Sequence, residues 1–175
     1  MPINEEKLLN IKAYVEANFV PGEVLETKMC FCTPKKIKNS PFENYGLYDD
    51  VDKLKKRVNL NLSNSWQEAL FSLIDSKFLD EVEVYKRGGL TKQTFSKIRS
   101  NSDYHPDKDT AIRLCIGLKL NIDETLDLLG KAGYTLSPSI ERDLVIRFFI
   151  ENKEYDIYEM DCVFEDMGMK QFLKY

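Results

Sequence analysis

The chain has 175 residues, 43% of them apolar and 31% charged, with 8 Gly and 6 Pro, a composition that predicts a soluble globular protein with one sizeable core. Twenty-five Lys and Arg stand against 29 Asp and Glu, so the formal net charge of −4 excludes indiscriminate coating of nucleic acid. Apolar runs such as Leu144 to Ile150, interrupted by Arg147, are too short to cross a bilayer, which needs roughly 20 residues.

Leu8, Leu9, Ile11, Tyr14, Val15 and Phe19 recur at helical spacing and stop at Val20, Pro21 and Gly22, which predicts an N-terminal helix. The first dozen residues carry Glu5, Glu6 and Lys7 and do not read as a signal peptide, so a cytoplasmic location is expected. Four cysteines, Cys30, Cys32, Cys115 and Cys162, then read as reduced thiols. Cys30 and Cys32 form a lone C-x-C without a second pair, and His105 is the only histidine, so neither metal nor cofactor is expected.

Residues 23 to 62 lose the periodicity and contain Pro34, Pro41 and Gly46, the signature of an irregular arm. Between Lys28 and Arg57 eight basic residues face four acidic ones, a charge run that reads as a solvated face before it reads as a phosphate contact. Residues 1–62 are therefore taken as a helix plus basic arm.

From Ser63 the punctuation becomes explicit. Ser65 with Glu68 spells a capping box ahead of Ala69, Leu70, Leu73 and Ile74, and Asp80 with Glu83 opens a short helix that must end at Gly88 and Gly89. Thr91 caps the next helix, to about Ser100. Asp107 or Asp109 opens another with Ala111, Ile112, Leu114, Cys115 and Leu118, and Asn121 with Glu124 starts a fifth that closes at Gly133. Five short helices fill residues 63–134. In residues 135–175, Ser137 or Ser139 is expected to cap a helix bearing Ile140, Leu144, Val145, Phe148 and Phe149, and a last helix runs from Ile157 to Met167. Those apolar faces are expected to pack on the five-helix unit. The fold class is all-α.

Two short helices joined at Gly88 and Gly89 have the form of a helix-turn-helix. At DEVEVYKRGGLTKQTFSKIRS, Asp80 to Ser100, and at IRLCIGLKLNIDETL, Ile112 to Leu126, the chain resembles the Cro and phage-repressor family of helix-turn-helix domains over about 40% of its length. The resemblance implies that Thr91 begins the recognition helix, that Lys92, Gln93, Ser96 and Lys97 point at DNA, and that Phe95 and Ile98 face the core. It also implies a dimer on two half-sites. Chemistry agrees with that assignment: Gln93 can pair with an adenine edge, and Lys92 or Lys97 with guanine or phosphate. Lys86, Arg87, Lys92, Lys97 and Arg99 form a stretch with no acidic residue between Lys86 and Asn101. The chain departs from the family at Glu81, where a phosphate-binding glutamine is usual, at Tyr85, where alanine is usual, and in a loop Arg99 to Pro106 that is one residue longer.

The expected function is thus a DNA-binding transcriptional regulator whose partner is double-stranded DNA, with Lys92, Gln93 and Ser96 on bases and Lys97 and Arg99 on phosphates. The alternative is a non-enzymatic adaptor on the same scaffold that regulates a partner protein. Its basis is Glu81, Tyr85 and a C-terminal stretch whose Phe148, Phe149, Tyr155, Tyr158, Phe164, Phe172 and Tyr175 are candidates for pairing two chains. Catalysis is not expected: no glycine-rich phosphate loop, G-x-S-x-G or H-E-x-x-H occurs, and His105 between Asp103 and Asp107 reads as a loop residue that packs under or caps the next helix.

Overall fold

The computed structural model describes residues 4–21 and 65–173, and these are helical throughout, with no strand among them. Cys30, Cys32 and the basic arm lie outside the described residues. Eight helices follow in order: α1 (Glu5–Asn18), α2 (Trp66–Ser76), α3 (Glu81–Arg87), α4 (Lys92–Ser100), α5 (Lys108–Gly117), α6 (Ile122–Lys131), α7 (Glu141–Glu151) and α8 (Ile157–Asp166).

Local chemistry starts most of them. Both capping boxes form in full: Ser65 Oγ accepts from the Glu68 amide while the Glu68 carboxylate accepts from the Ser65 amide, and Asn121 and Glu124 do the same for α6. Asp80 and Thr91 cap α3 and α4 through Val82 N–H and Thr94 N–H. Two expected caps do not form. Neither Ser137 nor Ser139 caps α7, which starts after Ile140. Instead the Asp143 carboxylate, itself buried, reaches back to accept the Ser137 amide at 2.8 Å and Lys108 Nζ at 2.6 Å. His105 is exposed and caps nothing, its ring lying edge-on to Tyr134, while Asp107 occupies the α5 N-cap without a side-chain bond.

α5 is the central helix. Ala111, Ile112, Leu114, Cys115 and Ile116 are all fully buried, as in a helix enclosed by neighbours. It packs on α3 and α6; α6 also meets α2 and α7, and α7 meets α8. Burial pushes the Cys115 thiol up to about 12.

The C-terminal helices use their aromatics internally. Phe149, Phe164 and Phe172 are buried, Phe148 and Tyr155 are half-buried, and Tyr158 stays exposed. α1 joins this end of the molecule, packing on α7. Ile11 and Val15 are buried, Tyr14 meets the Phe148 ring edge-on at 5.2 Å, and Lys7 lies over the Phe149 ring while bonding Glu154 and Glu159. Among the described residues no helix is long and apolar enough to cross a membrane.

Candidate nucleic-acid interface

The turn between α3 and α4 is built by close backbone approach. Gly117 at the end of α5 lies so near α3 that a Cβ there would sit 2.3 Å from the Val84 carbonyl oxygen, and a Cβ on Gly88 would sit 2.5 Å from the Arg113 carbonyl oxygen. Only glycine permits both contacts. Gly89 then takes φ +64°, the left-handed conformation that turns the chain into α4.

Side chains from beyond the turn hold it in place. Arg113 Nε donates to the Gly88 carbonyl at 2.8 Å, and its Nη2 donates to the Gly89 carbonyl. Leu173 and Ile157 close over Gly89 from the C-terminal segment. That segment is itself fastened by Asp161, which is buried and accepts the amides of Phe172 at 2.6 Å and Leu173 at 2.8 Å. Arg142 stacks on the Phe164 and Phe172 rings, donates to the Lys170 carbonyl and pairs with Asp109 at 2.7 Å, and Lys170 reaches the same Asp109. The C-terminal extension thus buttresses the turn that aims α4.

α4 buries Phe95 and Ile98 and turns its polar side outward. Thr91, Lys92, Gln93, Ser96 and Lys97 are exposed, and the spacing 92, 93, 96, 97 puts four of them on one side of the helix. α4 contains no acidic residue, and Lys92 and Lys97 make no ion pair among the described residues. The helix N-terminus beneath Lys92 and Gln93 adds its own partial positive charge.

The two arginines of the expected set are engaged elsewhere. Arg87 Nη1 donates to the Gly117 carbonyl at 2.7 Å and its Nη2 pairs with Glu83, so it ties α3 to α5. Arg99 pairs with Glu81 at 2.7 Å and lies over the Phe71 ring. This pair ties up one exposed cation and also neutralises Glu81, the carboxylate that would oppose a phosphate. Tyr85 neither splits α3 from α4 nor turns outward. It is half-buried, with its ring 5.6 Å from Phe95 at a tilt of 38°, filling the helix junction with an aromatic pair where alanine would need a closer approach. Lys86 is exposed and unpaired among the described residues.

No family model, curated protein or solved structure matches this chain.

Arg113, Ile157 and Leu173 are the supports that the sequence did not single out. Nothing local marks them, because the contacts they make depend on how α5 and α8 dock, 24 residues or more from the turn. Among the described residues no group of three His, Cys, Asp or Glu side chains gathers into a cation site.

Proposed function

We propose that α2 to α6 form a repressor-like helix-turn-helix domain and that the protein is a DNA-binding regulator whose α4 enters the major groove. The observation that supports this most is the outward side of α4. Lys92, Gln93, Ser96 and Lys97 stand exposed beside one another on a rigid, capped helix with no carboxylate among them. In this reading Lys92, Gln93 and Ser96 meet base edges, and Lys97 and Lys86 meet phosphates. Thr91 acts as the cap, and Arg87 and Arg99 act as positioning residues, the first holding α3 on α5 and the second masking Glu81.

Fluorescence anisotropy with a labelled mixed-sequence duplex tests this reading. Binding is expected at about 50 mM salt and falls steeply as salt rises, because each neutralised phosphate releases counterions. Lys97→Gln lowers the slope of log K against log salt by about 1. No binding at low salt, or binding unchanged in the double variant Lys92→Glu/Lys97→Glu, overturns it.

An adaptor role is the second reading, favoured by Phe78. This ring is 95% exposed on a left-handed residue just after α2, a large apolar side chain with no internal task.

A further inference from the structure

Among the described residues, the lysines that form no ion pair are Lys86, Lys92, Lys97, Lys119 and Lys153; the other lysines there each face a carboxylate within 4 Å. Two of the five belong to α4. The other three meet in one open cleft of about 440 Å³, whose described lining also includes Arg87, already paired with Glu83, and one carboxylate, Asp156. They arrive from separate places: Lys86 from the end of α3, Lys119 from the turn after α5 and Lys153 from the turn after α7.

Lys119 and Lys153 sit at equivalent positions. Each follows its helix in left-handed backbone, φ +52° and +59°, where glycine or asparagine is normally found. The following amides close the helices by bonding back to Cys115 O and Phe149 O. A lysine anywhere in the last turn would complement the helix dipole without strain. Placing it at the strained position in two helices that converge on one cleft points to a task for the ammonium groups themselves.

Three unpaired lysines against one carboxylate, in a cleft of small-ligand size, match an anion carrying more than one negative charge. Exposed Tyr158 forms part of the rim, and Ile157 on the wall is the residue that covers Gly89. We propose that this cleft binds a small polyphosphate anion, at a site separate from the outward side of α4. The ligand is either free diphosphate or the diphosphate of a nucleotide whose base stacks on Tyr158. The site does not depend on the DNA reading and stands if that reading fails.

Inorganic pyrophosphate and ADP are titrated into the full chain at low salt and followed by calorimetry and amide chemical shifts. The expected result is saturable one-to-one binding, with shifts at Lys86, Lys119, Lys153 and Ile157. ADP binding more tightly than pyrophosphate, with the advantage lost in Tyr158→Ala, assigns the nucleotide source; equal affinity assigns the free anion. Lys119→Gln/Lys153→Gln weakens binding by at least about tenfold, whereas Lys92→Gln/Lys97→Gln leaves it unchanged. Lys119→Gly/Lys153→Gly guards against misfolding, because it relieves the strained backbone. This variant melts higher than the parent and still fails to bind. Absence of saturation, or equal weakening by the cleft and α4 variants, overturns the proposal.

Discussion

Gly117→Ala and Gly130→Ala are the same substitution in two helices, and the structure predicts opposite signs. In an exposed helix interior alanine is favoured over glycine by about 1 kcal/mol. At Gly130, exposed on α6, an added Cβ meets nothing within 4 Å, so that preference stands alone and stability rises by up to about 1 kcal/mol. At Gly117 the Cβ lies 2.3 Å from the Val84 oxygen, 3.2 Å from the Val84 carbonyl carbon and 3.4 Å from the Gly88 nitrogen. All three are backbone atoms, so no rotamer change relieves the clash, and α3 must retreat from α5 by roughly 1 Å to restore ordinary contact. Overpacking of this kind costs about 3 kcal/mol, the upper end of its range, and the propensity gain offsets about 1 of it. The net loss is about 2 kcal/mol. Urea unfolding followed by circular dichroism measures both variants, read as a change in midpoint at constant slope. The retreat also loosens the Arg87 bond to the Gly117 carbonyl, so under the proposed DNA-binding reading duplex affinity is expected to fall with stability in Gly117→Ala and not in Gly130→Ala. A Gly117→Ala protein as stable as the parent would refute the close approach of α3 and α5, and with it the account of how the turn is aimed.

Two further predictions concern the latch behind that turn. Burial alone would raise the Asp109 carboxyl, but hydrogen bonds from Lys170 and Arg142 outweigh it and hold it below the usual carboxylate range. A folded pKa lower than the unfolded one stabilises the protein above about pH 4 and is lost as pH falls through the folded value. Asp109→Asn is therefore destabilised by about 1 kcal/mol at neutral pH, and its melting curve converges on that of the parent below about pH 4; a pH-independent difference contradicts the pairing. Asp161→Asn keeps one oxygen for the Phe172 and Leu173 amides and sets an NH2 group against the other, a loss of about 2 kcal/mol or about 4–8 °C in melting temperature by calorimetry. An unchanged Tm shows that the C-terminal segment does not stabilise the turn.

The boundaries of the helices and the inward side of α4 are legible in the sequence because they are local. A capping box closes within three residues, as at Ser65 and Glu68 or Asn121 and Glu124, and the spacing of Phe95 and Ile98 alone says which side of α4 is buried. Where a neighbour from another helix competes, the local signal fails. Asp109 is drawn to Arg142 and Lys170 instead of capping α5, and α7 starts without a side-chain cap while Asp143 binds the Ser137 amide ahead of it.

Charge illustrates the same division more sharply. The sequence by itself determined that Lys86 to Arg99 contains five cations and no carboxylate. Only the tertiary structure decided which of them remain unpaired, because Glu81 is 18 residues from Arg99 along the chain and the Gly117 carbonyl is 30 from Arg87. It likewise brought Lys119 and Lys153 beside Lys86 and set α1 against α7 across more than 130 residues. Spacing along one helix fixes which side a residue faces, since the backbone period is set by its own hydrogen bonds. What that residue then meets is set by helix docking, which depends on close approaches such as Gly117 on Val84 that no local pattern announces.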